Sequence, residues 1–263
     1  MSTELAINIA HANVILGGRE IIHDMNWKLE KGGRCFILGA NGAGKTTLVK
    51  TMMGYAWPRF GATVEVLGHR FGQTNLVELR KKIAWVSPFM SQFTSTENTG
   101  LEMVLSGFDG TLGLTREATP EEIDTAKALM ERFRCGHLTD QKIFTMSSGE
   151  QVKIMITRAL LTNPEMVILD EPSVYLDMAG REFLLEEIRK IAEKLPDVTI
   201  IFITQRIEDI LPVFKEGMIL AGGRIVEYGE RDSVLREDVL TQAYGLPIKL
   251  WKNKSNRFWA MLE

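Results

Sequence analysis

Cysteine is scarce in this chain of 263 residues: only Cys35 and Cys135 are present. Cys35 sits in the apolar run Cys35-Phe36-Ile37-Leu38 and reads as a small core side chain. A basic excess is missing too. The formal net charge is -3, which argues against a general nucleic-acid-binding surface while leaving room for a local basic patch. No apolar stretch approaches the ~20 residues that a membrane-spanning helix needs. Met1 to Ala10 is too polar and too short to hold the apolar core of a secretion signal. The expectation is a soluble cytoplasmic chain whose membrane role, if it has one, comes through a partner. Internal repeats and low-complexity segments are absent as well.

Hydrophobic residues make up 45% of the chain and charged residues 25%, an ordinary balance for a globular protein. The length suits one large α/β domain or two small ones, with an ample core. Glu4 to Ile9, Arg34 to Leu38 and Ala62 to Leu67 read as strands. From about Thr96 to Met146 the pattern turns helical. Thr119-Pro120-Glu121-Glu122 is a strong helix start, with a Thr cap, Pro at the first helical position and acids in the first turn. Its helix should run to about Arg134, and another should span Glu150 to Leu161 before Asn163-Pro164. Met166 to Leu169 and Val198 to Thr204 are short apolar runs of the parallel-sheet kind, separated by an amphipathic helix from Gly180 to Lys194. Met218–Leu220 and Arg224–Tyr228, split by Gly222-Gly223, predict a hairpin. Leu246–Trp251 and Arg257–Leu262 predict a terminal one around a polar Lys252–Asn256 turn. The fold class expected is α/β: a mainly parallel sheet, a β-rich N-terminal part and a helical insertion at about 95–160, within one domain over 1–263.

Chemistry enters at Gly39-Ala40-Asn41-Gly42-Ala43-Gly44-Lys45-Thr46, which fits the phosphate-loop pattern G-x-x-x-x-G-K-[ST]. Glycines let successive backbone N–H groups turn toward phosphate oxygens. The helix that follows adds its N-terminal amides and dipole. Lys45 brings a flexible point charge to the β and γ phosphates. The Thr46 hydroxyl is a hard oxygen ligand for Mg²⁺. With Thr47, these residues form the expected nucleotide-binding set. A second motif, Met166-Val-Ile-Leu-Asp170-Glu171, is an apolar strand ending in two acids. Carboxylates at such a strand end lie where α/β sheets bind ligands. Asp170 suits Mg²⁺, directly or through water, and Glu171 suits a general base acting on the attacking water.

Between them lies Met146-Ser147-Ser148-Gly149-Glu150-Gln151, ahead of a helix. Here the sequence resembles the ATP-binding cassette (ABC) ATPases, whose signature reads L-S-G-G-Q. Met replaces Leu, Ser148 the first Gly and Glu150 the Gln. The order of motifs agrees, and Ser173-Val-Tyr-Leu176-Asp177 resembles the family's D-loop. The resemblance spans roughly residues 4 to 230, leaving a C-terminal extension at about 230–263. It implies a P-loop NTPase core, ATP and Mg²⁺ as cofactors, and a head-to-tail homodimer or heterodimer. Each ATP would be sandwiched between the phosphate loop of one subunit and Ser147–Gln151 of the other. Independently, Ser147, Ser148 and Gly149 form a small-residue helix N-terminus, an anion-binding device without its own lysine.

Three positions depart from the family. Gln205 stands where a histidine usually follows the strand after the acidic one; an amide can hydrogen-bond but carries no proton. Ser87-Pro88 occupies the usual place of the Q-loop glutamine, making Gln92 the candidate metal-site ligand and Ser87 the alternative. Val14-Ile15-Leu16-Gly17 offers no aromatic ring for adenine, only aliphatic packing. Gly100–Gly107 and Tyr244-Gly245-Leu246-Pro247 are similar to segments of metal-chelate and molybdate-type importer ATPases. The expected function is therefore ATP hydrolysis coupled to a separate membrane permease, with no nucleic-acid partner. The alternatives are a soluble regulatory or repair-type ABC ATPase and an ATP-dependent switch with weak turnover.

Overall fold

The computed structural model describes residues 4–87, 97–110 and 113–262. In chain order the strands and helices are β1 (Leu5–Leu16), β2 (Arg19–Glu30), β3 (Arg34–Leu38), α1 (Lys45–Met52), β4 (Thr63–Val66), β5 (His69–Arg70), α2 (Leu76–Lys81), β6 (Ile83–Val86), α3 (Gly100–Leu105), α4 (Pro120–Arg132), α5 (Ser148–Leu160), β7 (Met166–Asp170), α6 (Met178–Lys194), β8 (Thr199–Thr204), β9 (Glu216–Ala221), β10 (Arg224–Glu230), α7 (Arg231–Val234), α8 (Glu237–Tyr244), β11 (Ile248–Lys252) and β12 (Phe258–Leu262). They fall into two compact units. One combines residues up to Arg80 with those from Arg189 onward, and the other runs from Lys81 to Ile188.

The first unit holds an antiparallel sheet in the order β2-β1-β4-β5. Gly17 and Gly18, at φ 56 and 77, make the turn that folds β2 back on β1. The register of this pair shifts at several points; at one of them, between Ile9 and Ala12, both strands bulge, and His11 and Asp24 take φ values of 51 and 45. Asn side chains hold that irregularity, with the His11 amide donating to Asn26 Oδ1 at 2.9 Å and the Asp24 amide to Asn13 Oδ1 at 2.8 Å. In the same unit β3 lies parallel to both β8 and β9, and β10 returns antiparallel to β9. These strands are short, β-branched and aromatic, and β3 is buried from Cys35 to Leu38. Gly217 is needed there, because a Cβ on it would sit 2.0 Å from the Phe36 ring. Phe202 and Phe214 stack with centroids 5.2 Å apart. The terminal pair β11–β12 is a separate two-stranded sheet.

The second unit pairs β6 with β7 in parallel, from Ile83 against Met166 to Val86 against Leu169. Beside them stand α3, α4 and α5, each opened by a capping box: Thr99 with Glu102, Thr119 with Glu122, and Ser147 with Glu150. Each box satisfies orphan amides at a helix start, and losing such a cap costs about 1 kcal/mol. Met103, Val104, Ala126, Met130, Ile154 and Met155 form this unit's apolar interior. The guanidinium of Arg158 is buried among them and donates to Ser106 Oγ at 3.1 Å; burial pulls its pKa down to about 10.

Candidate functional site: a phosphate loop and a signature helix

In the first unit β3 delivers the chain into the glycine loop, and α1 begins at Lys45. Gly42 and Gly44 take φ 81 and 103, a backbone region that side-chain-bearing residues rarely enter. Ala40, Asn41 and Gly42 form the exposed rim, while Ala43, Gly44 and Lys45 are buried. Lys45 Nζ lies across the loop, 2.8 Å from the Gly39 carbonyl and 2.9 Å from that of Ala40. Thr46 is exposed and Thr47 half-buried on the first turn. The loop thus combines a glycine-rich backbone, a helix N-terminus, an ammonium group and an accessible hydroxyl, groups that a triphosphate requires.

The loop is braced from two sides. At its start, the Gly39 amide donates to the Thr204 carbonyl, at the end of β8, at 3.4 Å. The half-buried Gln205 follows directly on that strand, at a bend that the Thr204 hydroxyl fixes by accepting from the Arg206 amide at 3.0 Å. At its end, the Gly223 amide donates to the Ala43 carbonyl at 3.0 Å, and the Gly223 carbonyl accepts from the His23 amide at 2.9 Å. Gly222-Gly223 reads in the sequence as a hairpin turn alone. The structure gives Gly223 the further task of anchoring the phosphate loop, a role whose only sequence signal is the doubled glycine.

In the second unit, β7 ends in Asp170, which is 3% exposed. Glu171 follows in the left-handed region at φ 52, a conformation that turns the chain away from the strand direction at some cost for a residue with a Cβ. Asp177 accepts from the Gly180 amide at 2.7 Å and so caps the first turn of α6. Ser147 and Ser148 are exposed at the start of α5, with Gly149 beside them leaving open space where a side chain would stand. Ser148 Oγ donates to the Tyr175 carbonyl at 3.2 Å, and Gln151 Nε2 donates to the Ile143 and Met146 carbonyls at 3.1 and 3.2 Å. Gln151 is thereby a brace for the segment before α5. Ser87, Ser148, Gln151, Tyr175 and Leu176 line one groove of this unit. Gln92, the candidate Q-loop residue, lies outside the described residues, while its alternative, Ser87, is buried at the end of β6.

Glu150, the residue that departs from the signature's glutamine, is held by its own helix. Its carboxylate accepts from the Ser147 amide, which keeps its pKa below the usual carboxylate range. His137 Nε2 stands 3.8 Å from the other carboxylate oxygen.

The family model described as ABC transporter matches residues 22–174, more than half of the chain, and the chain belongs to that family. It is accordingly an ATPase of the ATP-binding cassette type. It is 34% identical over 260 residues to the ABC transporter ATP-binding protein YlmA of Bacillus subtilis, covering 98% of each chain. It is 28% identical over 255 residues to the phosphonates import ATP-binding protein PhnC of Stutzerimonas stutzeri, covering 91% of this chain and 90% of that one. Among solved structures it superposes on a cassette of Clostridium perfringens that is part of the cbiONQ transporter complex, with a TM-score of 0.77, 21% identity and 91% and 94% coverage. An ABC transporter described as metal-chelate type, in an inward-facing conformation, matches with a TM-score of 0.78 and 21% identity over 99% of both chains. The fold is that of the P-loop ATPase cassettes, as the motif order implies.

Proposed function

We propose that this ATPase works as a head-to-tail dimer around two ATP molecules and drives transport through a separate membrane permease. The observation that carries the dimer is the state of the signature segment. Ser147, Ser148 and Gly149 open a 13-residue helix at an exposed end, with small side chains and no lysine of their own. Such an N-terminus suits a γ-phosphate whose lysine is supplied by another subunit. The roles follow from chemistry. Residues Gly39 to Thr47 cradle the triphosphate, Glu171 accepts a proton from the attacking water, and the Gln205 amide hydrogen-bonds the γ-phosphate or that water. Asp177 steadies the D-loop at the subunit junction.

Mg²⁺ fits this donor set. The exposed Thr46 hydroxyl and the Asp170 carboxylate are hard oxygens, with Ser87 or Gln92 as a further oxygen. One or two of these oxygens would suffice to hold the cation, which when bound would supply neutralisation of charge on the β and γ phosphates. Among the described residues no helix is long and apolar enough to cross a membrane. The permease is proposed because relatives such as PhnC are import ATP-binding proteins. That partnership places the chain at the cytoplasmic face of a membrane.

The test is Glu171→Gln with saturating ATP and Mg²⁺, measured by light scattering after gel filtration. Hydrolysis should fall by roughly a hundredfold or more, and the protein should elute as an ATP-bound dimer. A monomer in excess ATP would refute the sandwich.

A further inference from the structure

The terminal hairpin treats its two edges differently. Asn253 N donates to Arg257 O at 2.9 Å just inside the turn, so Trp251 with Trp259 and Lys249 with Met261 are the mutually hydrogen-bonded pairs of the ladder. The amides of Ile248 and Leu250 therefore point out of the β11 edge. Both are capped by side chains of α8: Ile248 N donates to Thr241 Oγ1 at 3.2 Å and Leu250 N to Glu237 Oε1 at 2.9 Å. On the β12 edge the outward groups belong to Phe258, Ala260 and Leu262. Among the described residues, no hydrogen bond reaches the outward amide or carbonyl of Ala260. Ala260, Met261 and Leu262 are exposed, the last two at 56% and 68%. An open strand edge of this kind is a template for another strand.

We infer that β12 pairs antiparallel with β12 of a second copy of this chain, across a two-fold axis through Ala260. The occupant follows from charge and self-complementarity. Phe258-Trp-Ala-Met-Leu262 carries no charge, so the strand can face itself without like-charge repulsion. The cations Lys252, Lys254 and Arg257 cluster at the turn end of the hairpin. Antiparallel pairing carries the two turns to opposite ends of the joint sheet, away from each other. With Ala260 opposite itself, Trp259 of one copy meets Met261 of the other, on the face where Trp251 and Trp259 already pack at 5.3 Å. A two-stranded sheet is marginal by itself, and four strands with a shared apolar face are a sounder unit. This contact is independent of nucleotide and adds a second junction to the sandwich proposed above.

The test uses the whole chain, nucleotide-free, in analytical ultracentrifugation. The wild type and Lys45→Ala should both dimerise. Ala260→Pro, which deletes only an outward amide, and Ala260→Lys, a charged edge, should each weaken the dimer by roughly tenfold or more while thermal stability is kept. Ala260→Cys should crosslink with a short bis-maleimide and Lys254→Cys should not; Cys35 and Cys135 are buried and do not compete. A monomer at all concentrations overturns the inference, as does a dimer undiminished in both Ala260 variants. The two outcomes also stand apart from the sandwich, which requires ATP.

Discussion

Ser147 and Glu150 close on each other at the start of α5. The Glu150 carboxylate accepts from both the amide and the hydroxyl of Ser147 at 2.8 Å, and the Glu150 amide donates to Ser147 Oγ at 3.3 Å. A helix N-terminus proposed to meet a γ-phosphate in trans thus already carries a carboxylate of its own, where the family signature has a neutral amide. A glutamine keeps the capping geometry without the charge.

Glu150→Gln should therefore ease the sandwich. In a Glu171→Gln background, the ATP concentration for half-maximal dimerisation should fall by roughly threefold, with the gain shrinking as salt rises. No change at low salt would show that the Glu150 charge lies outside the field of the phosphate. The same residue sets a pH effect on stability. Its folded pKa is lowered, so its contribution is complete above the unfolded value of about 4.3 and is lost as pH falls through the folded one. The wild type should lose thermal stability more steeply than Glu150→Gln between about pH 5 and pH 3. The carboxylate is half-buried at a helix end and still reached by solvent, which keeps the difference to roughly a few tenths of a kcal/mol at neutral pH.

The phosphate loop gives a second prediction, through Gly223. A Cβ there would stand 2.0 Å from the Ile21 carbonyl oxygen, at a φ of 73. Gly223→Ala must push β2 and the β9–β10 turn apart and loosen the Ala43 anchor. It should cost on the order of 2–3 kcal/mol and weaken ATP binding as well. Gly222 is the internal control: its φ is 52 but nothing lies within 4 Å of a Cβ. Gly222→Ala should cost only about 1 kcal/mol and leave ATP affinity unchanged. Thermal melts with nucleotide titrations separate the two, and equal effects at both glycines would deny Gly223 its anchoring role.

What the sequence made legible follows the local signals. Arg34–Leu38 is a strand as its apolar run predicts, and Thr119-Pro120 opens α4 as its cap predicts. β2 escaped because its buried residues Ile22 and Met25 are three apart, the extra residue being absorbed by the bulge at Asp24. The same bulge broke the alternation of β1 at His11, so only its first half, to Ile9, could be read. α8 buries only Val239 and Leu240, too few for a periodic stripe. The phosphate loop was visible because its chemistry is contiguous. The anchoring by Gly223 and the Gly39–Thr204 contact join segments far apart in the chain, and no local pattern records them.

Gln205 carries the last prediction. It follows the strand residue whose carbonyl takes the Gly39 amide, so its backbone is fixed beside the start of the phosphate loop. Its amide can orient an oxygen but cannot titrate. The wild-type pH–rate profile should consequently lack a limb between pH 6 and 7. Gln205→His should add one, near the ordinary histidine pKa of about 6.5, because imidazole gains a proton there. It should also raise kcat, on the order of tenfold rather than the full span of general acid–base catalysis, since Glu171 already serves as base. KM for ATP should stay within about twofold, because the phosphate loop is untouched. If kcat and its pH profile are both unchanged in Gln205→His, the side chain at this position does not reach the reacting phosphate.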